Sequence, residues 1–145
     1  MFEKILVPMD DSESSYHVLK KAMENFKDSE IVVLNVIESE KYRPKPRFMG
    51  EVTERYEETL TRIAERIITK ARKLAEEKGV KIKTIAEEGE AASTIVSVAE
   101  KIGAKAILMA TRSTPTEKFI LGSVTEKVIK EVPRDVPVFV WRGVK

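Results

Sequence analysis

The chain has 145 residues, 42% hydrophobic and 34% charged, which suits one domain with a full core and a well-solvated surface. With 26 Lys and Arg against 24 Asp and Glu, its net charge of +2 lacks the basic excess of a dedicated duplex-DNA binder. The absence of cysteine removes disulfides, thiolate catalysis and Cys-based metal sites, and the one histidine, His17, makes a His-rich metal site or a Ser-His-Asp triad unsupported. No apolar run approaches the roughly 20 residues of a membrane span, and the opening MFEKILVPMDD lacks a signal-peptide pattern. The expectation is a cytoplasmic protein without membrane attachment. Gln is absent and Asn occurs only at 25 and 35, beside many Lys, Glu and Arg, which is the composition of a heat-adapted protein.

The run Lys4 to Met9 (KILVPM) reads as a buried strand opening into the polar turn Asp10-Asp11. Ser12, Ser14 and Ser15 are candidate N-caps for a helix whose apolar face is Val18, Leu19, Ala22 and Phe26. Ile31 to Ile37 (IVVLNVI) is nearly continuous and rich in β-branched residues, as in a strand covered on both faces. A polar connection, 39–50, holds two prolines. A long helix over about Glu51 to Lys78 follows, striped by Tyr56, Leu60, Ile63, Ile67, Ala71 and Leu74 and ended by Gly79. Val80 to Ala86 alternates partly, as an edge strand does. Gly89 precedes a helix with Ile95, Ala99 and Ile102 on one face, ended by Gly103; Ala106 to Ala110 is a further buried strand. A polar turn from Thr111 to Lys118 leads to Gly122-Ser123 and a helix with Val124, Val128 and Ile129 on its apolar face. Val136 to Trp141 is the fifth strand, and Pro137, which cannot donate to a ladder, favours an edge.

The order βαβαβαβαβ implies an α/β fold: a single-domain, open parallel sheet of five strands with helices on both faces and right-handed crossovers. Ligands of such sheets lie beyond the carboxyl ends of the strands where strand order reverses. That rule selects Met9-Asp10, Val36-Ile37 and Met109-Thr111. Asp10 follows the first strand and is a candidate ligand contact, although an acid before a helix is also a common cap or turn former. Gly122-Ser123 opens a helix, whose free amides and dipole favour an anion such as phosphate. Ser123-Val124-Thr125-Glu126 equally fits a capping box, and the two roles are compatible. Arg112 is either a phosphate grip or a solvated surface residue. Lys41, Arg43, Lys45 and Arg47 form either a basic lid or a charged loop. His17 reads as a surface residue, and Phe139 and Trp141 as core or interface.

Taken in order, Ile5-Leu6-Val7-Pro8-Met9-Asp10, Val33-Leu34-Asn35-Val36, Gly89 with Ala91-Ala92 and Ile95, Ile107 to Thr111 with Leu121-Gly122-Ser123-Val124, and Pro137 to Val140 resemble the universal stress protein family over nearly the whole chain. The resemblance implies one Rossmann-like domain over 1–145, of the adenine nucleotide alpha hydrolase-like type, with strand order 3-2-1-4-5. It implies an adenine nucleotide (ATP or AMP), with Mg²⁺ only beside a triphosphate, an aspartate on the adenosine (here Asp10) and a valine backbone on the base (here Val36). The candidate nucleotide-contacting residues are Pro8, Met9, Asp10, Val36, Met109, Ala110, Arg112, Ser113, Gly122, Ser123, Val124 and Thr125. ATP-binding members carry Gly-x-x-Gly, nine residues, then Gly-Ser or Gly-Thr. Here Ala110 and Ser113 stand at the two glycines, eight residues separate Ser113 from Gly122, and Pro115 stiffens the loop. The resemblance also implies a homodimer through the last strand, Val136 to Trp141, and a role in stress response or signalling with a protein partner the sequence does not name. No nucleic-acid or membrane partner is expected. The alternatives are a non-nucleotide-binding member acting only through protein contacts, and a slow ATPase.

Overall fold

A computed structural model describes residues 2–38, 50–111 and 122–142, with 50–57 described by their backbone alone. The elements are β1 (Lys4–Pro8), α1 (Glu13–Asn25), β2 (Glu30–Ile37), α2 (Gly50–Lys78), β3 (Ile82–Glu88), α3 (Ala91–Ile102), β4 (Ala106–Ala110), α4 (Ser123–Glu131) and β5 (Val138–Trp141). All strand pairings are parallel and the sheet order is β3-β2-β1-β4-β5, the doubly wound, Rossmann-like arrangement expected. The chain winds from β1 out to β3, then returns to place β4 on the other side of β1. The connections that leave β1 and β4 therefore diverge at their carboxyl ends.

Alternation along the central strands builds two cores. Ile5, Val7, Ile31, Val33 and Leu108 face α1 and α2, where Val18, Leu19, Met23, Ile67 and Ala71 meet them. Leu6, Val32, Leu34, Ile107 and Met109 face α3 and α4, against Ile95, Val98, Ala99 and Val128. Because β1 is covered on both faces and paired on both edges, Ile5, Leu6 and Val7 are fully buried. Of the stripe read on α2, Ile67 and Ala71 are buried, Ile63 and Leu74 are half-buried, and Ala64 and Ala75 join them. Tyr56 has no described side chain. Gly79 and Gly103 end α2 and α3 at φ +66° and +70°, the left-handed conformation that glycine adopts without a Cβ penalty.

Three local expectations change. On α4 it is Thr125 and Val128 that turn inward, whereas Val124 and Ile129 are exposed. The β3 strand starts at Ile82 rather than Val80, and β5 at Val138 rather than Val136, with Pro137 contributing its carbonyl to Ile107 N–H at 3.0 Å. β5 is an edge strand, and all four of its residues are half-exposed. Phe139 packs among Phe2, Phe26 and Trp141 with ring centroids 5.5, 5.8 and 6.4 Å away.

Candidate functional site

The β1 strand leaves the sheet at Pro8, and the turn that follows is pinned from several sides. Met9 N–H donates to Leu34 C=O at 2.7 Å, and the buried Asn35 donates its Nδ2 to Met9 C=O at 2.9 Å. Ser12 N–H donates to Asp10 Oδ1 at 2.9 Å, a local ring of the kind Asp forms at turns. Ser12, chosen from the three serines by its extended backbone, caps α1 by accepting from Ser15 N–H at 3.2 Å. Ser15 Oγ in turn donates to Asp10 C=O at 2.7 Å. Asp10 is thus fixed at the sheet's carboxyl edge with its side chain exposed.

The β2 strand runs further than β1. Its register with β1 stops at Pro8 and Leu34, while its register with β3 continues to Ile37 and Glu88. Leu34 C=O serves the β1 side and Ile37 C=O serves Gly89 N–H on the β3 side. In a parallel strand these directions alternate, so the N–H and C=O of Val36 face the β1 side beyond the point where β1 has ended. Among the described residues, an adjacent donor and acceptor are left open there.

On the other side of the reversal, β4 ends at Ala110. Thr111 is buried, and its N–H and Oγ1 both donate to Trp141 C=O, at 2.9 and 3.4 Å. At the start of α4 the N-cap is Gly122, extended at φ −63° and ψ 155°, and among the described residues no side chain caps it. The capping box read at Ser123 is therefore not formed. Ser123 is already the first helical residue, so its hydroxyl lies one position past the cap. Glu126 N–H makes the first helical bond, to Gly122 C=O at 3.0 Å, which leaves the amides of Ser123, Val124 and Thr125 without helical partners.

These edges enclose a cavity of about 530 Å³, within the usual range for a small-molecule site. All the candidate nucleotide-contacting residues line it except Arg112 and Ser113, which lie outside the described residues, as do Lys41, Arg43, Lys45, Arg47 and Pro115. Leu60, Ile63 and Ile67 of α2 form one apolar wall, and Ile95 and Met109 the other. The polar groups are therefore gathered at the ends. Asp10 and Val36 sit at the end of the β1–β2 pair, and Gly122 to Thr125 at α4. His17 does not line the cavity, and among the described residues no group of His, Asp and Glu is placed to hold a metal.

Sequence reasoning missed several residues of this site. Asn35 was visible as the lone polar residue of an apolar strand, but its partner, Met9 C=O, was not. Glu38, just past β2, accepts from Ala91 N–H at 3.0 Å across 53 residues of sequence. Beside it Glu90 caps α3, accepting from Ala92 N–H at 3.1 Å and pairing with Lys127 at 3.2 Å. The Ser93 hydroxyl, then Lys127 and the Ala92 amide, hold the Glu90 carboxyl below its usual value despite some desolvation. Asp11 is paired with Arg66 of α2 and accepts from Tyr16 OH at 3.2 Å. Burial foremost, then the Asp11 charge, pushes the Tyr16 hydroxyl up to about 12. A second, wider cleft of about 1010 Å³ lies at the amino ends of β2 and β3, but its central carboxylate, Glu30, is already taken by Lys4 and Lys83.

The universal stress protein family model matches residues 1–140. Universal stress protein MJ0531 of Methanocaldococcus jannaschii is 36% identical over 133 residues, covering 90% of this chain and 77% of that protein. Universal stress protein MJ0577 of the same organism is 32% identical over 151 residues, covering 94% and 93%. The solved structure of MJ0577 matches with a TM-score of 0.80 over 100% of this chain and 99% of that one. Two neighbours of lower identity share the fold, each at a TM-score of 0.68. One is a universal stress protein in complex with cAMP, 15% identical, and the other is from Archaeoglobus fulgidus in complex with dAMP, 16% identical. They cover 99% and 97% of this chain and 98% and 97% of their own. With the switch-point cavity and the sheet order already in place, these matches make the chain a member of the universal stress protein family.

Proposed function

We propose that the cavity at the β1–β4 reversal holds an adenine nucleotide, and that the protein is a nucleotide-holding module of stress response or signalling rather than an enzyme. The observation that carries this is the pairing of two open polar ends across apolar walls. The backbone donor and acceptor of Val36 suit the hydrogen-bonding edge of a base, and the uncapped amides of α4 suit a phosphate. Asp10, between them, suits ribose hydroxyls as an acceptor. The complexes of fold neighbours with cAMP and dAMP support a ligand of this class. Mg²⁺ enters this reading only with a triphosphate, which brings the charge that would retain it.

Calorimetry with AMP, ADP and ATP tests the proposal. The expected result is binding of all three, with ATP gaining less than about tenfold over AMP, because Ala110 and Ser113 stand where the family's glycine loop lets backbone approach phosphate. What ATP does gain through Arg112 and the basic residues 41–47 falls as salt is added. Absence of binding by any of the three overturns the reading. Phosphate release from ATP over hours would show an ATPase instead.

The second reading, a member acting only through protein contacts, shares with the first the half-exposed edge strand β5. An unpaired edge invites a second strand, and a homodimer across Val136 to Trp141 would cover it. Both readings include this dimer. Light scattering should give twice the chain mass, and Val140→Lys, which places a charge on the edge outside both cores, should give the monomer. A monomeric parent chain, or an unchanged mass in a folded variant, refutes the placement.

A further inference from the structure

Three helices present their amino ends to the one cavity: α1 through Ser12, α3 through Ala91, and α4 through Gly122 and Ser123. Each such end carries unpaired N–H groups and a partial positive charge, so an anion is attracted to all three alike. Two of them are partly taken by the chain's own oxygens. At α1, Ser12 Oγ accepts from Ser15 N–H, and Asp10 Oδ1 accepts from Ser12 N–H. At α3, Glu38 accepts from Ala91 N–H at 3.0 Å, and Glu90 from Ala92 N–H at 3.1 Å. Among the described residues, α4 is the end with no side chain on it.

Glu38 is the unusual occupant. Asp10 accepts from an amide two residues along and Glu90 caps its own helix, as turn and cap residues do, although Glu90 also reaches Lys127. Glu38 arrives from another element, although Glu90 already caps α3. It lies two residues beyond Val36, just past the end of β2, and lines the cavity with it. A carboxylate in that place occupies the first amide of α3 and repels any second anion that approaches.

We infer that Glu38 is a specificity-determining residue of this cavity: its carboxylate, seated on the Ala91 amide, turns anionic groups away from the α3 end. The inference rests on the reading of the cavity as a ligand site, and does not depend on which nucleotide is bound.

Amide resonances of the ¹⁵N-labelled full chain, titrated with inorganic phosphate at constant ionic strength, test this without any nucleotide. In the parent protein the amides of Ser123 to Thr125 should shift and those of Ala91 and Ala92 should not. In Glu38→Ala, Ala91 should respond as well, with an apparent phosphate affinity about tenfold tighter there than in the parent. Glu38→Gln keeps an acceptor for Ala91 N–H without the charge and should respond in between; it decides the matter if Glu38→Ala does not fold. Equal movement of Ala91 in parent and variants, or silence of Ala91 in both variants, overturns the inference. A parallel titration with adenosine keeps the two readings apart. Phosphate should leave adenosine affinity unchanged in the parent and weaken it about fivefold or more in Glu38→Ala. If adenosine binds neither protein, the nucleotide reading fails while the Ala91 resonance still judges Glu38.

Discussion

Replacing Asn35 by Asp tests the pinning of the β1 exit. The two side chains have nearly the same shape, but an ionised carboxylate cannot donate to Met9 C=O, which Asn35 Nδ2 reaches at 2.9 Å. Acceptor would then face acceptor at a position only 7% exposed. The unpartnered carbonyl costs about 1–3 kcal/mol, and the desolvated charge raises the total to about 2–4 kcal/mol at pH 7.5. For a chain of this size that lowers the melting midpoint by about 5–15 °C. Burial raises the folded-state pKa of the new carboxyl above its unfolded value near 4. The penalty is therefore absent below the unfolded value, where the protonated acid donates to Met9, and grows to its full size as pH rises through the folded value. Asn35→Ala loses the same bond without a charge, so its deficit should not vary with pH. Urea denaturation of the three proteins from pH 4 to 8 reads both curves. A deficit for Asn35→Asp below about 1 kcal/mol at pH 7.5, or one that stays flat with pH, would refute the reasoning.

Asp10→Ala should weaken AMP and ATP alike by about ten- to hundredfold, the loss of one charge-assisted hydrogen bond of about 1.5–3 kcal/mol; a loss confined to ATP would move Asp10 from the nucleoside to the phosphates. Glu90→Gln should destabilise the protein at neutral pH by less than about 1 kcal/mol, since Lys127 and Glu90 are 49% and 42% exposed. Because the Glu90 carboxyl is held below its ordinary value, its contribution is present above pH 4–5 and is lost as pH falls through the folded value, so the two urea curves should converge in acid. Calorimetric melting should give a midpoint above the mesophilic range of about 45–65 °C; a midpoint inside it contradicts the compositional reading of heat adaptation.

Much of the fold was legible because its signals are local. The β4 strand falls where the run Ala106 to Ala110 placed it, bracketed by Gly103 and the polar turn. The central strands followed from their unbroken apolar runs. The edges were less legible: β3 and β5 each begin two residues later than read, since half-exposed residues blur the pattern. The capping box failed for a different reason. Its spacing fits Ser123 and Glu126, but spacing does not say which residue still has extended backbone, and that residue is Gly122. On the same helix, one inward-facing position went to Thr125, which hydropathy alone would place outside. Asp10 could be nominated from the sheet rule, whereas the open amide and carbonyl of Val36 depend on β2 outrunning β1, a matter of register. Glu38 was invisible because its partner lies on α3, beyond α2 and β3.

The bond from Thr111 to Trp141 has a mechanical meaning. Thr111 is part of the cavity floor, and Trp141 closes the outermost strand. Both donors of Thr111 converge on the single carbonyl of Trp141. A backbone displacement at either residue must be matched at the other or stretch that joint, at a cost of about 1 kcal/mol. A shift at the outer margin of the sheet is thus passed to the lining of the cavity through one shared carbonyl.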